Sequence, residues 1–109
     1  MYMTIREILT RLREINAEMA TIGDEAYALQ TRLRTRNPET ATHATNLLTY
    51  LIPDINNERR RLRALIIKLE KTDGSTVCDE SWESVVTIPT ARLESYRASL
   101  EHAKQNENG

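Results

Sequence analysis

From Ile5 to Leu33 the apolar residues recur in alternating steps of three and four: Ile5, Ile8, Leu12, Ile15, Met19, Ile22, Ala26, Leu29 and Leu33. A second run, Ala41, Ala44, Leu48, Leu51, Ile55, Glu58, Leu62, Leu65 and Leu69, keeps the same steps with Glu58 as its one polar member. This spacing marks the seam of a heptad helix. Seventeen of the eighteen seam positions are apolar, where a composition of 39% hydrophobic residues would fill about seven by chance. The pattern predicts two long helices, over residues 4–35 and 38–71.

Between the two runs stands Arg36-Asn37-Pro38-Glu39. Asn37 suits an N-cap, Pro38 suits a first turn whose N–H has no partner in any case, and Glu39 faces the helix dipole favourably. A short connection between helices of matched length predicts an antiparallel hairpin whose seams bury each other. Two registers half a heptad apart satisfy the seams equally. Gly23 and Pro53 interrupt the helical composition at about the same level of that hairpin. A helix-interior proline costs about 3 kcal/mol and a glycine about 1 kcal/mol. Because the heptad runs through Pro53 without a skip, a kink in a continuous helix is expected there, with a break at Ile52 as the alternative.

After Lys71 the periodicity stops at Thr72-Asp73-Gly74, and an acidic linker with an extended arm is expected over residues 73–88. In that arm Trp82, Val86 and Ile88 fall on one face of a strand-like segment. Pro89-Thr90 then opens a third helix, 89–104, carrying Leu93, Tyr96, Leu100 and Ala103 at three-four-three spacing. Leu9, Ile52, Ile66 and Ile67 lie off the seams and offer that helix a place to dock, whereas the terminal QNENG is expected to fray. The predicted fold is therefore all-α and a single domain. It comprises a long antiparallel coiled-coil hairpin, a short extended arm and a C-terminal helix.

Composition agrees. The chain has 109 residues, 28% charged and 5% aromatic with no Phe, which favours charge-laced helices over a sandwich or barrel. The lone Cys78 can form no internal disulfide, Arg6 and Glu7 sit where a leader would be apolar, and no run is long enough to span a membrane. A cytoplasmic protein of a reducing compartment is the expectation. Net charge is -1 but unevenly spread: residues 1–72 carry 12 Lys/Arg against 9 Asp/Glu, and residues 73–109 carry 3 against 7. The tail can thus neutralise the body by folding back on it.

Arg59, Arg60, Arg61 and Arg63 form the most basic stretch. Successive helix positions lie about 100° apart, so these side chains fan around the helix instead of forming one groove-reading stripe. Only Asn56 and Asn57 nearby could contact bases, and no aromatic is interleaved for stacking. Glu58 lies among them in the seam and needs an arginine partner if buried.

Catalytic chemistry has little support. His43 and His102 belong to different helices, the residues from Asp73 to Glu80 lack the ligand alternation of a calcium loop and the second thiol of a zinc site, and the three glycines are scattered. No enzyme, cofactor or metal site is expected, and no family resemblance is carried by the residues. What is expected is a protein-binding module: a dimerising adaptor, regulator or inhibitor that docks on a larger protein. Its interface would be Trp82, Val85, Val86, Ile88 and Tyr96. Nucleic-acid binding through Arg59, Arg60, Arg61 and Arg63 is the alternative.

Overall fold

The computed structural model of the chain describes residues 2–36 and 42–107. In order it contains β1 (Met3–Thr4), α1 (Ile5–Arg36), α2 (Thr42–Glu70), β2 (Val77–Cys78), a 3₁₀ turn (Glu80–Trp82) and α3 (Glu83–Gln105). The all-α class and the long helical hairpin are as the seams predict. The expected cap at Asn37, the Pro38 turn and the seam residue Ala41 lie outside the described residues.

α1 opens on a capping box. The Thr4 hydroxyl accepts from the Glu7 N–H at 3.2 Å, and the Glu7 carboxylate accepts from the Thr4 N–H at 3.3 Å. The Ile5 and Arg6 N–H groups donate to the carbonyls of Thr76 and Gly74 at 2.9 and 3.0 Å. All four donors that a helix start leaves unpaired therefore have acceptors, two of them supplied by the returning linker. That linker also pairs β2 with β1 antiparallel, Met3 opposite Cys78 and Thr4 opposite Val77. Asp73 and Asp79 shape its two bends, each accepting from the N–H and hydroxyl of the serine two residues on, Ser75 and Ser81. Those bonds hold both carboxyls below the ordinary aspartate value.

All nine α1 seam residues are buried, and they face Ala44, Leu48, Leu51, Ile55, Glu58, Leu62 and Leu69 of α2. Near the base of the hairpin burial passes from Leu65, which is half-buried, to Ile66. Register is now decided. Asn16 stands opposite Arg59, and a side chain added at Gly23 would meet Ile55 Cγ2 at 3.4 Å. Gly23 thus lies against the turn that follows Pro53, and α2 runs unbroken through that proline.

α3 completes an up-down-up bundle. It runs parallel to α1, with ion pairs from Arg97 to Glu18 (3.5 Å), Lys104 to Glu25 (3.1 Å) and Arg32 to Glu107 (3.1 Å). It runs antiparallel to α2, where Tyr96 donates to the Asp54 carbonyl at 3.4 Å. The molecule measures 54 × 23 × 15 Å with a radius of gyration of 16.9 Å, against about 13 Å for a compact chain of this length. Of the off-seam residues, Leu9 and Ile66 are buried in the core and Ile52 is half-buried against it, but Ile67 remains exposed.

Two expectations are corrected. The segment from Trp82 to Ile88 is not an extended arm, and the last helix begins at Glu83 instead of Pro89. A lone strand there would have had no sheet to join. Wound as a helix, the segment places Val85, Val86 and Pro89 on the stripe continued by Leu93, Tyr96, Leu100 and Ala103. Pro89 forfeits one hydrogen bond, but its ring is buried, and the Thr90 hydroxyl donates to the Val86 carbonyl at 2.7 Å in the same turn. The tail is also more ordered than expected: Gln105 is helical, Asn106 closes the helix through the His102 carbonyl at 2.8 Å, and Glu107 meets Arg32.

Candidate functional site

The interface residues read from the sequence do not stay together. Trp82, Val85 and Val86 are half-buried against the core, with Trp82 beside Met3, Ile8 and Cys78 at the base of the bundle. They cannot act as a protruding anchor. Ile88 is 49% exposed on the outer side of α3. Tyr96 lies on a different surface, the furrow between α2 and α3.

That furrow is a concave feature with an apolar floor. It encloses about 340 Å³ between Leu47, Tyr50, Leu51 and Asp54 of α2 and Ser95, Tyr96 and Ser99 of α3, with His43 and Asn46 toward its far end. α2 supplies this lining because its seam faces α1, so residues one position off the seam, such as Leu47 and Tyr50, face outward to the third helix. Tyr50 is 75% exposed. Tyr96 is half-buried, and burial, followed by the nearby Glu58 and Asp54 charges, pushes its phenol above the ordinary value.

At the base side of the furrow Glu58 is only 4% exposed. Its Oε2 accepts from Arg92 of α3 and from Arg61 one turn ahead at 3.3 Å. The predicted arginine partner is therefore real, but the closer of the two comes from another helix. The remaining arginines are dispersed. Arg59 donates to Asn16 Oδ1 at 3.1 Å, and Arg60 to Asn57 Oδ1 at 3.3 Å, while Arg63 is exposed. In the linker that precedes α3, Asp73 and Asp79 are engaged with Ser75 and Ser81.

At the distal end the histidines, separated by 59 positions in the chain, meet. His43 Nε2 and His102 Nε2 lie 3.2 Å apart, with the rings edge-to-face and their centroids 5.3 Å apart. No sequence signal pointed to this pair, because the meeting depends on how α2 and α3 are aligned. Among the described residues no cluster of three or more His, Cys, Asp or Glu could hold a metal ion, and no helix is long and apolar enough to cross a membrane. No protein family, curated protein or solved structure matches the chain.

Proposed function

We propose that the protein is a non-enzymatic protein-binding module, an adaptor, regulator or inhibitor that docks on a larger protein through the furrow between α2 and α3. The observation that carries this reading is the lining itself. An apolar floor of Leu47 and Leu51 is flanked by Tyr50 and Tyr96, with Asp54, Asn46, Ser95 and Ser99 around it. Tyrosine is enriched at binding hot spots because it offers a large rigid face and a polar tip, and a polar rim excludes water around such an anchor. A partner helix or loop presenting one or two apolar side chains fits a furrow of this size. The buried free thiol of Cys78 suits a reducing compartment such as the cytoplasm.

Residues 82–88 are helical and offer no strand edge on which two copies could pair; docking on a larger protein is therefore preferred. A photoreactive residue placed at Tyr50 in cells that make the protein tests this. One discrete crosslinked partner is expected, lost when Leu47→Asp is added. Equal yields from a probe at Glu14, on the outer side of α1, would overturn the assignment. Nucleic-acid binding through Arg59 to Arg63 predicts affinity that falls steeply with added salt. The dispersal of these side chains onto Asn16, Asn57 and Glu58 predicts that no such binding is found.

A further inference from the structure

His43 lies in the first turn of α2 and His102 in the last turn of α3. Antiparallel packing of these helices brings the two Nε2 atoms to 3.2 Å. In a tetrahedral site with metal–nitrogen bonds of about 2.0–2.1 Å, two imidazole nitrogens stand about 3.3–3.4 Å apart. The pair thus already holds nearly the separation at which two histidines share one metal ion. We propose that His43 and His102 form a two-imidazole binding site for a divalent transition metal of the zinc, copper or nickel type, clamping the distal ends of α2 and α3 at the mouth of the furrow.

The ligand chemistry is consistent. Neutral imidazole favours these metals, whereas magnesium and calcium require oxygen donors. As two neutral rings the pair shares one hydrogen bond, with the donor protonated on Nε2. Metal binding requires a lone pair on both Nε2 atoms, so the donor ring has only to move its proton to Nδ1, and no net proton is released. Both rings are exposed and can turn about their terminal torsions to converge on a common point. The backbone at His102 is held by Asn106, whose side chain and N–H both donate to the His102 carbonyl, at 2.8 and 3.2 Å. Helix packing has therefore already supplied much of the ordering that binding would otherwise require. With two protein ligands the remaining coordination positions are open to water or to a donor on a docked partner.

The full chain, stripped with a chelator, is titrated with Zn²⁺, Cu²⁺ or Mg²⁺ and followed by calorimetry and thermal unfolding. Zn²⁺ and Cu²⁺ are expected to bind one ion per chain and raise the melting temperature, and Mg²⁺ to do neither. His43→Ala and His102→Ala should each weaken binding about tenfold or more, as losing a ligand costs at least what losing a ligand's supporting contact does. The double variant should be little worse than either single one, since one ring alone cannot clamp. Unchanged helical circular dichroism shows that the variants remain folded, and Zn²⁺ should shift the ring proton resonances of both histidines together. The proposal is overturned if either single variant binds as tightly as the parent chain, if the double variant keeps the metal-dependent melting shift, or if the parent chain shows no shift in several-fold molar excess of metal.

Discussion

Glu58 is the residue on which the polar part of the core turns. Its carboxylate is buried, and both of its arginines reach it from the solvent side, Arg92 with a side chain that is 44% exposed. An ion pair taken out of water contributes little net stability, but removing one partner leaves a charge poorly compensated. Arg92→Met is expected to destabilise by about 1–2 kcal/mol, below the full cost of an orphaned buried charge because Arg61 remains. Glu58→Leu, which completes the apolar seam, should be neutral or stabilising. Urea unfolding of both variants checks this; a loss of several kcal/mol in Glu58→Leu would show that the seam tolerates no apolar residue there. Tyr96, on the same surface, makes a pH prediction. Its folded pKa is raised above the unfolded value of about 10, so its protonated form is favoured in the fold. The stability this adds is complete below about pH 10 and is lost as pH rises through the raised value. The stability difference between the parent chain and Tyr96→Phe should therefore shrink on going from pH 8 to above about pH 11, as read from urea midpoints.

At the scale of elements, two helices run through prolines, and the packing differs in an instructive way. Pro53 is exposed in the middle of α2 and Pro89 is buried in α3. Pro53→Ala restores an N–H to the helix ladder and sacrifices no buried surface, so it should stabilise the protein by about 1–3 kcal/mol. Pro89→Ala gains the same bond but loses a packed ring, and its net effect should be clearly smaller. Comparing the two melting temperatures decides the matter; equal gains would mean that the Pro89 ring contributes nothing to the core. At the start of α3, too, packing overrides local preference. Trp82, Val86, Pro89, Leu93, Tyr96, Leu100 and Ala103 continue one four-three heptad, so the helix was legible back to Trp82. The β-branched run Val85-Val86-Thr87-Ile88 and the following proline gave a local preference for extended structure, and burial of a continuous stripe outweighs it.

For the whole molecule, the third helix is part of the core and not an appendage. Leu93, Leu100 and Ala103 are buried with the hairpin seams, and Trp82 sits half-buried at the base. A single cooperative unit should follow. Trp82 fluorescence, which reports the base, and helical circular dichroism, which reports all three helices, are expected to give coincident urea transitions. Leu93→Ala should lower stability by about 2–4 kcal/mol while keeping them coincident. Separation of the two curves would mean that α3 detaches before the hairpin unfolds. The exposed ion pairs between α1 and α3 align the helices but add little, each worth about 0–1 kcal/mol, so moderate salt should shift the transition only slightly.

The sequence by itself determined the all-α class and the reach of α1 and of α2 through Pro53, because a heptad seam is a local repeat whose burial outweighs single unfavourable residues. It also determined that Glu58 needed an arginine. It could not supply the hairpin register, since half-heptad shifts leave every seam residue facing a seam. Nor could it supply the direction and docking face of α3, because the contacts that define them join residues 34 or more positions apart, Glu58 to Arg92 and His43 to His102. The furrow of Leu47, Tyr50 and Tyr96 and the histidine pair were decided only by tertiary structure. Both are gaps or meetings between separate helices, and neither leaves a periodic trace in either one.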